Sequence, residues 1–234
     1  MEIMNYAILA AGEGSRLSRE GIGVPKPLVE VGGETMLGRL IRIFMRNGAG
    51  HIAVITNDMT SLTSDYVRKL ADEGLPISLK VKSTPSSMHS FYELRDMIGS
   101  DRFCLTTVDT IFREEEFGRY VREFAATGHD ALMAVTDYVD DEKPLYVAVD
   151  EELRVTGFHD EACGTRYVSG GIYCLDGKCV EVLEKCVAAG QSRMRNFQRA
   201  LVSEGLDVRA YPFSKIIDVD HRDDIAKAES FLRL

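Results

Sequence analysis

From residue 5 to residue 136 the chain switches repeatedly between two hydrophobic periods, and this alternation limits its fold more than any other feature. Apolar runs at 5–10, 51–57, 77–82, 102–109 and 130–136 read as buried strands. The stretches between them have helical spacing. In 34–48, Leu37, Leu40, Ile41 and Phe44 share a face, and Gly48 stands where a C′ glycine would end the helix. Segment 61–74 opens on Ser61 as its expected cap and closes on Gly74. Residues 88–98 are the next predicted helix. In 114–128, Glu114, Glu115 and Glu116 fill the first turn, where the helix dipole favours them.

After residue 137 the rhythm changes. Shorter strands are predicted at 144–150, 154–159 and 169–175, followed by helices at 178–189 and 193–204. A strand pair at 207–219 and a helix at 223–232 complete the pattern. The fold class is therefore α/β: a Rossmann-like, mostly parallel mixed sheet flanked by helices on both faces, with a small antiparallel addition. No linker or repeat divides the chain, so residues 1–234 read as one domain.

Composition narrows the partners. Hydrophobic residues at 45% and charged residues at 28% suit an ordinary packed core. A net charge of −9 argues against a nucleic-acid partner, which needs a basic surface. No apolar run approaches the roughly 20 residues of a membrane span, and "MEIMNYAILAAGEG" reads as a first core strand, not a signal peptide. The five cysteines are odd in number and include no C-x-x-C. They read as reduced thiols, which implies a cytoplasmic location, with a zinc site as the lesser alternative.

In an open α/β sheet a ligand binds beyond the carboxyl ends of the strands. The first such end carries "AILAAGEGSRL". Gly12 and Gly14 let backbone amides approach a triphosphate, and Arg16 offers a planar fork to phosphate oxygens. Lys26, between Pro25 and Pro27, adds a point charge on a stiff loop. A dinucleotide fingerprint is not met, because Leu17 stands at the third glycine position, and no G-K-[ST] follows for a Walker A loop.

"LAAGEGSRL", followed by "PKPLVEVGG", resembles the signature of the nucleotidyltransferase family of sugar-nucleotide pyrophosphorylases and cytidylyltransferases. The resemblance runs along essentially the whole chain. It implies that Ala10, Ala11, Gly12, Gly14 and Ser15 bind nucleotide and that Arg16 and Lys26 act in catalysis. It further implies Mg²⁺ held by Asp109 and, ahead of the last helix, by Asp220, with Asp218 as the alternative. Asp223 is then the candidate cap for that helix. "STPSSMHSFYEL" lies where the family reads the base, which puts Ser87 and Ser90 among the nucleotide-binding residues. One of its serines is also the expected helix cap, and His89 reads as a surface residue. Gly170 and Gly171 in "RYVSGGIYCL" are expected to face the acceptor, with a strand bulge as the other reading. The E-K-P motif of many hexose-1-phosphate enzymes is replaced by "FHDEACGTRYV", where Arg166 is the candidate clamp for the acceptor phosphate.

The implied reaction moves NMP from an NTP to a phosphorylated small acceptor, a sugar 1-phosphate or a phospho-alcohol, and releases pyrophosphate. A molybdenum-cofactor-type guanylyltransferase and a non-catalytic nucleotide-binding regulatory protein are the alternatives. A homodimer through the later strands is compatible with each.

Overall fold

The chain alternates strand and helix as its two hydrophobic periods require. A computed structural model describes residues 4–99, 101–140 and 142–233. Strand β1 (Met4–Ala10) leads into a short helix α1 (Ser15–Arg19), a single 3-10 turn at Lys26–Leu28 and a small hairpin of β2 (Glu30–Val31) and β3 (Glu34–Thr35). Then come α2 (Met36–Arg46), β4 (Ala49–Thr56), α3 (Ser61–Asp72), β5 (Ile77–Val81), α4 (Ser87–Ile98), β6 (Phe103–Thr107), β7 (Thr110–Ile111), α5 (Glu114–Ala126) and β8 (Ala131–Thr136). The later part holds β9 (Tyr146–Val149), β10 (Val155–His159), β11 (Tyr167–Leu175), α6 (Lys178–Ala188), α7 (Met194–Ser203), β12 (Val208–Pro212), β13 (Ile217–Asp218) and α8 (Arg222–Leu232).

Strand β1 sits between β4 and β6, parallel to both, and β5 extends the parallel half beyond β4. Strand β11 joins the other side of β6 antiparallel and also pairs with β8 and β9, with β10 outside β9. This is the antiparallel addition expected from the sequence, merged into the same sheet. The predicted strand pair at 207–219 is corrected. Its two strands do not pair with each other: β12 runs parallel to β8, whereas β13 crosses to β7. Two adjacent extended segments look like a hairpin in sequence, and only long-range pairing separates them.

Both faces of the sheet are covered, which explains the unbroken apolar run of β1. Successive side chains of a strand point to opposite faces. Ala7, Leu9 and Ala11 accordingly enter a core with Phe91, Leu94 and Phe197 from α4 and α7. Tyr6, Ile8 and Ala10 enter a second core with Phe44, Phe117 and Phe124 from α2 and α5. A third, smaller cluster joins Leu17, Val31, Ile111, Ile217 and Phe231, and so ties α1, the β2–β3 hairpin, β7, β13 and α8 together.

Helix caps differ from expectation in two places. Thr60, not Ser61, caps α3, its Oγ1 accepting from Leu62 N at 3.3 Å. Ser61 is already the first helical residue. For α8 the cap is His221, and Asp224 accepts from the backbone N–H of His221 at 2.8 Å; Asp223 lies exposed inside the first turn. Gly48 and Gly74 follow their helices with φ of 77° and 94°, as a C′ glycine does.

Candidate active site

The loop from β1 to α1 and the turn at Lys26 fold against each other. Gly14 has φ 62°, and a Cβ there would lie 2.6 Å from Lys26 Cβ, so both backbone and contact demand glycine. At Gly12 a Cβ would meet no protein atom within 4 Å, which leaves open space over the loop. Asn57, just past β4, donates through Nδ2 to Gly12 O at 3.2 Å and pins the loop. Leu17 anchors α1 in the third cluster and leaves the neighbouring Arg16 facing outward.

Asp109 lies two residues past β6, in a turn where Thr110 Oγ1 donates to Thr107 O at 3.2 Å. The β7–β13 pairing brings the end of the chain to this turn: Asp218 pairs with Thr110, and Val219 N donates to Asp109 O at 3.0 Å. Asp220 follows at once. Lys26 Nζ donates to Asp109 Oδ2 and to Asp220 Oδ1, each at 2.5 Å. Arg16 Nη1 donates to Asp220 Oδ2 at 2.7 Å, and Arg16 Nη2 to Glu142 Oε2 at 3.2 Å. Burial alone would lower the Lys26 pKa, but the two carboxylates override it and hold the ammonium charged well above its ordinary range. Burial would likewise raise Asp109, and the Lys26 cation keeps it below the usual carboxylate value.

Two hollows meet at this cluster. A cleft of about 570 Å³ is lined by Ala11, Gly12, Gly14, Ser15, Ser87 and Ser90, with Arg16, Lys26, Asp109 and Asp220 along its floor and wall. A smaller cavity of about 260 Å³ lies on the other side of Asp220 and Arg16, lined by Tyr138, Asp140, Ser169, Gly170, Asp218 and Lys227 among others. Ala10 is buried at the end of β1, behind the cleft. Ser90 is buried with its hydroxyl 2.6 Å from Thr84 Oγ1, while Ser86 is the cap of α4 and sits 2.9 Å from the Nδ1 of a half-buried His89.

The glycine pair has a structural job. A Cβ on Gly170 would fall 2.2 Å from Ile216 Cδ1, and Gly171, at φ 73°, lies against the Thr107 and Thr110 hydroxyls. The register of β11 against β8 shifts between Ser169 and Tyr173, at the glycine pair, and Gly170 also lines the smaller cavity. Arg166 is exposed, paired with Asp137 at 3.0 Å, and is not among the residues lining either hollow. Sequence reasoning passed over Asn57, Thr84, Ser169 and Lys227. Asn57 has no motif around it, whereas Thr84 and Ser169 lie inside the segments read for the base and the acceptor, where other residues were singled out. Of the five thiols, four are buried and Cys163 is exposed. Cys179 and Cys186 share α6, and burial pushes the Cys179 thiol up to about 12. No helix among the described residues is long and apolar enough to cross a membrane.

A mostly parallel α/β sheet with a glycine loop, a lysine and an arginine facing two carboxylates at its strand ends defines an NTP-using transferase domain. Residues 6–205 match the model of the MobA-like NTP transferase domain, and the chain belongs to that family of nucleotidyltransferases. Relatives include a glucose-1-phosphate thymidylyltransferase from Neisseria meningitidis, 27% identical over 86% of this chain and 72% of its own. A bifunctional IPC transferase and DIPP synthase from Archaeoglobus fulgidus is 24% identical over 99% of this chain, which spans 44% of that longer protein. Among solved structures, one assigned as a glucose-1-phosphate thymidylyltransferase from Bacillus anthracis, in complex with sucrose, superposes with a TM-score of 0.84 at 21% identity, covering 98% of this chain and 95% of the other. An inositol-1-phosphate CTP transferase from T. maritima does so with 0.80 at 19%, covering 98% of each. These likenesses establish the same fold.

Proposed function

We propose that this nucleotidyltransferase joins the NMP part of an NTP to the phosphate of a sugar 1-phosphate or phospho-alcohol, with Mg²⁺ as the metal. The observation that carries the reading is the meeting of Arg16, Lys26, Asp109 and Asp220 between two hollows, one lined by the glycine loop. The triphosphate lies over Gly12 and Gly14 in the larger cleft, and the base reaches Ser87 and the Thr84–Ser90 pair. The acceptor enters from the smaller cavity. The names of the relatives support an acceptor of this class.

The acceptor's phosphate oxygen attacks the α-phosphorus, a P–O bond forms, and the bond to the β-phosphate oxygen breaks. Pyrophosphate leaves with the electron pair. The attacking oxygen is already anionic, so no general base is required and the protein's task is alignment and charge neutralisation. Arg16 takes the leaving pyrophosphate through its planar fork, and Lys26 neutralises charge at the transferring phosphate. The donor set fits Mg²⁺: two carboxylates, Asp109 and Asp220, converge on one cationic point. Magnesium commonly takes one or two carboxylates and completes its shell with phosphate oxygens and water. When bound it supplies positive charge at the triphosphate.

The guanylyl alternative uses the same loop and differs in base and acceptor; the description of the matched family keeps it in view. A pyrophosphate-release assay decides between them. With Mg²⁺ and CTP, UTP, dTTP, GTP or ATP, each paired with glucose 1-phosphate, inositol 1-phosphate or phosphocholine, one NTP and one acceptor of this class are expected to release pyrophosphate together. Release only with GTP and a pterin phosphate would favour the guanylyl reading. Binding of NTP without release from any acceptor, pterin included, would favour the regulatory one.

A further inference from the structure

Gln198 is a polar residue in an apolar setting. It shares α7 with the core residues Met194, Phe197 and Leu201, and only 3% of it reaches solvent. An amide buried in this way is costly unless both its ends are bonded. Both are: Ser169 Oγ donates to Gln198 Oε1 at 2.9 Å, and Gln198 Nε2 donates to Tyr173 Oη at 3.4 Å. The backbone of Ser169 is held as well, its N donating to Leu145 O at 2.8 Å, and Gly170 beside it lies against Ile216. Ser169 lines the smaller cavity, whereas Gln198 stands behind it. A serine hydroxyl has one proton and two lone pairs. With its proton spent on Gln198, Ser169 presents only lone pairs to the cavity. Much of the wall repeats this polarity. Tyr138 Oη donates to Asp140 at 3.1 Å, and Lys227 Nζ donates to Asp140 at 2.7 Å and to Asp224 at 3.1 Å. Asp218 and Asp223 add carboxylates, which when ionised only accept.

We infer that the smaller cavity selects acceptors whose body beyond the phosphate carries hydrogen-bond donors, hydroxyls or a primary ammonium, and that Gln198 is the positioning residue that sets this preference by turning the Ser169 proton inward. The inference rests on the preceding reading that the acceptor enters this cavity. A fully ionised phosphate has no proton to give, so Ser169 faces the body of the acceptor and not its phosphate. A quaternary ammonium offers neither N–H nor O–H and leaves the Ser169 lone pairs without a partner. Without Gln198 the serine hydroxyl is free to rotate, and its polarity is no longer fixed.

The test is steady-state pyrophosphate release by the whole chain with Mg²⁺ and the preferred NTP. Glucose 1-phosphate, inositol 1-phosphate and phosphoethanolamine are the donor-bearing acceptors, and phosphocholine is the one without a donor. A donor-bearing acceptor is expected to give the highest kcat/KM. For that acceptor, Ser169→Ala is expected to raise KM about three- to ten-fold, the scale of one hydrogen bond, with the KM for NTP unmoved. Gln198→Leu should raise it in the same direction, and Gln198→Glu should recover most of the loss, because its carboxyl still accepts from Ser169. Combining Ser169→Ala with Gln198→Leu should be no worse than Ser169→Ala alone. A purely structural glutamine would instead add its effect to that of the serine and move both KM values. Thermal melts verify that each variant folds. A highest kcat/KM with phosphocholine, an unchanged acceptor KM in Ser169→Ala, or additive losses in the double variant would overturn the inference while leaving the transfer reaction in place. Absence of release from every acceptor with the wild type would overturn it together with that reading.

Discussion

Lys26 combines three properties seldom found together on a loop lysine: burial, two carboxylate partners and a backbone held by flanking prolines. Removing its charge should do more than weaken one contact. Lys26→Ala is expected to lower turnover roughly 10²–10³-fold, the scale of losing one preorganised charge-stabilising group, with the fold retained by circular dichroism. Unchanged turnover would remove Lys26 from the reaction. The same pair sets a pH dependence. Asp109 is held below the usual carboxylate range, so its contribution to stability is complete above the unfolded-state pKa and is lost as pH falls through the folded one. Lys26 is raised, so its contribution is complete below its unfolded pKa and is lost only as pH rises through the folded one. Urea denaturation across the acid range should show stability falling below the carboxylate region, and Asp109→Asn should flatten that limb; an identical limb in the variant would mean that the pair does not control it. Arg16, Lys26 and the glycines were legible because each belongs to a dense motif with fixed spacing. Asn57 was not, since single polar residues just past a strand are common and its role depends on the loop that folds against it.

At the scale of elements, the decisive feature is a two-residue pairing, β7 with β13. Two residues from each carry Asp220 across the molecule to Asp109. The third cluster beneath them makes this possible by burying Leu17, Ile111 and Ile217 together. Ile111→Ala is expected to destabilise the protein by about 2–5 kcal/mol, the usual range for emptying a buried isoleucine, and to weaken NTP binding through the displaced turn. A melting temperature and an NTP affinity both equal to wild type would separate this cluster from the site. Gly170→Ala is expected to cost ~1–3 kcal/mol by driving a methyl group into Ile216, measured by chemical denaturation. The long elements were legible in sequence because a dozen residues average out local ambiguity. The short helix α1, the β2–β3 hairpin and the β7–β13 pair carry too few residues for periodicity to register. They form because tertiary packing holds them, and the misread strand pair at 207–219 has the same cause.

For the molecule as a whole, the division of labour follows from the sheet. The parallel half supplies the strand ends at the larger cleft, and the antiparallel half, through β11, shapes the wall of the smaller cavity. The class of fold and the glycine loop at the end of β1 could be read ahead of the structure from periodicity and one motif. Of the smaller cavity's lining only Gly170 was singled out for this side, because the rest comes from β8, β11, α8 and the segment between β8 and β9, which meet only after folding. The central claim is that these two halves bring an α-phosphate and an acceptor phosphate into line. Phosphorus NMR of the wild-type protein with Mg²⁺, an NTP and the acceptor panel tests it most directly. The account predicts a new pair of coupled diphosphate resonances, from NMP joined to the acceptor, rising in step with free pyrophosphate. Hydrolysis of the NTP to free nucleotide and phosphate, with the acceptor resonance unchanged, would contradict it.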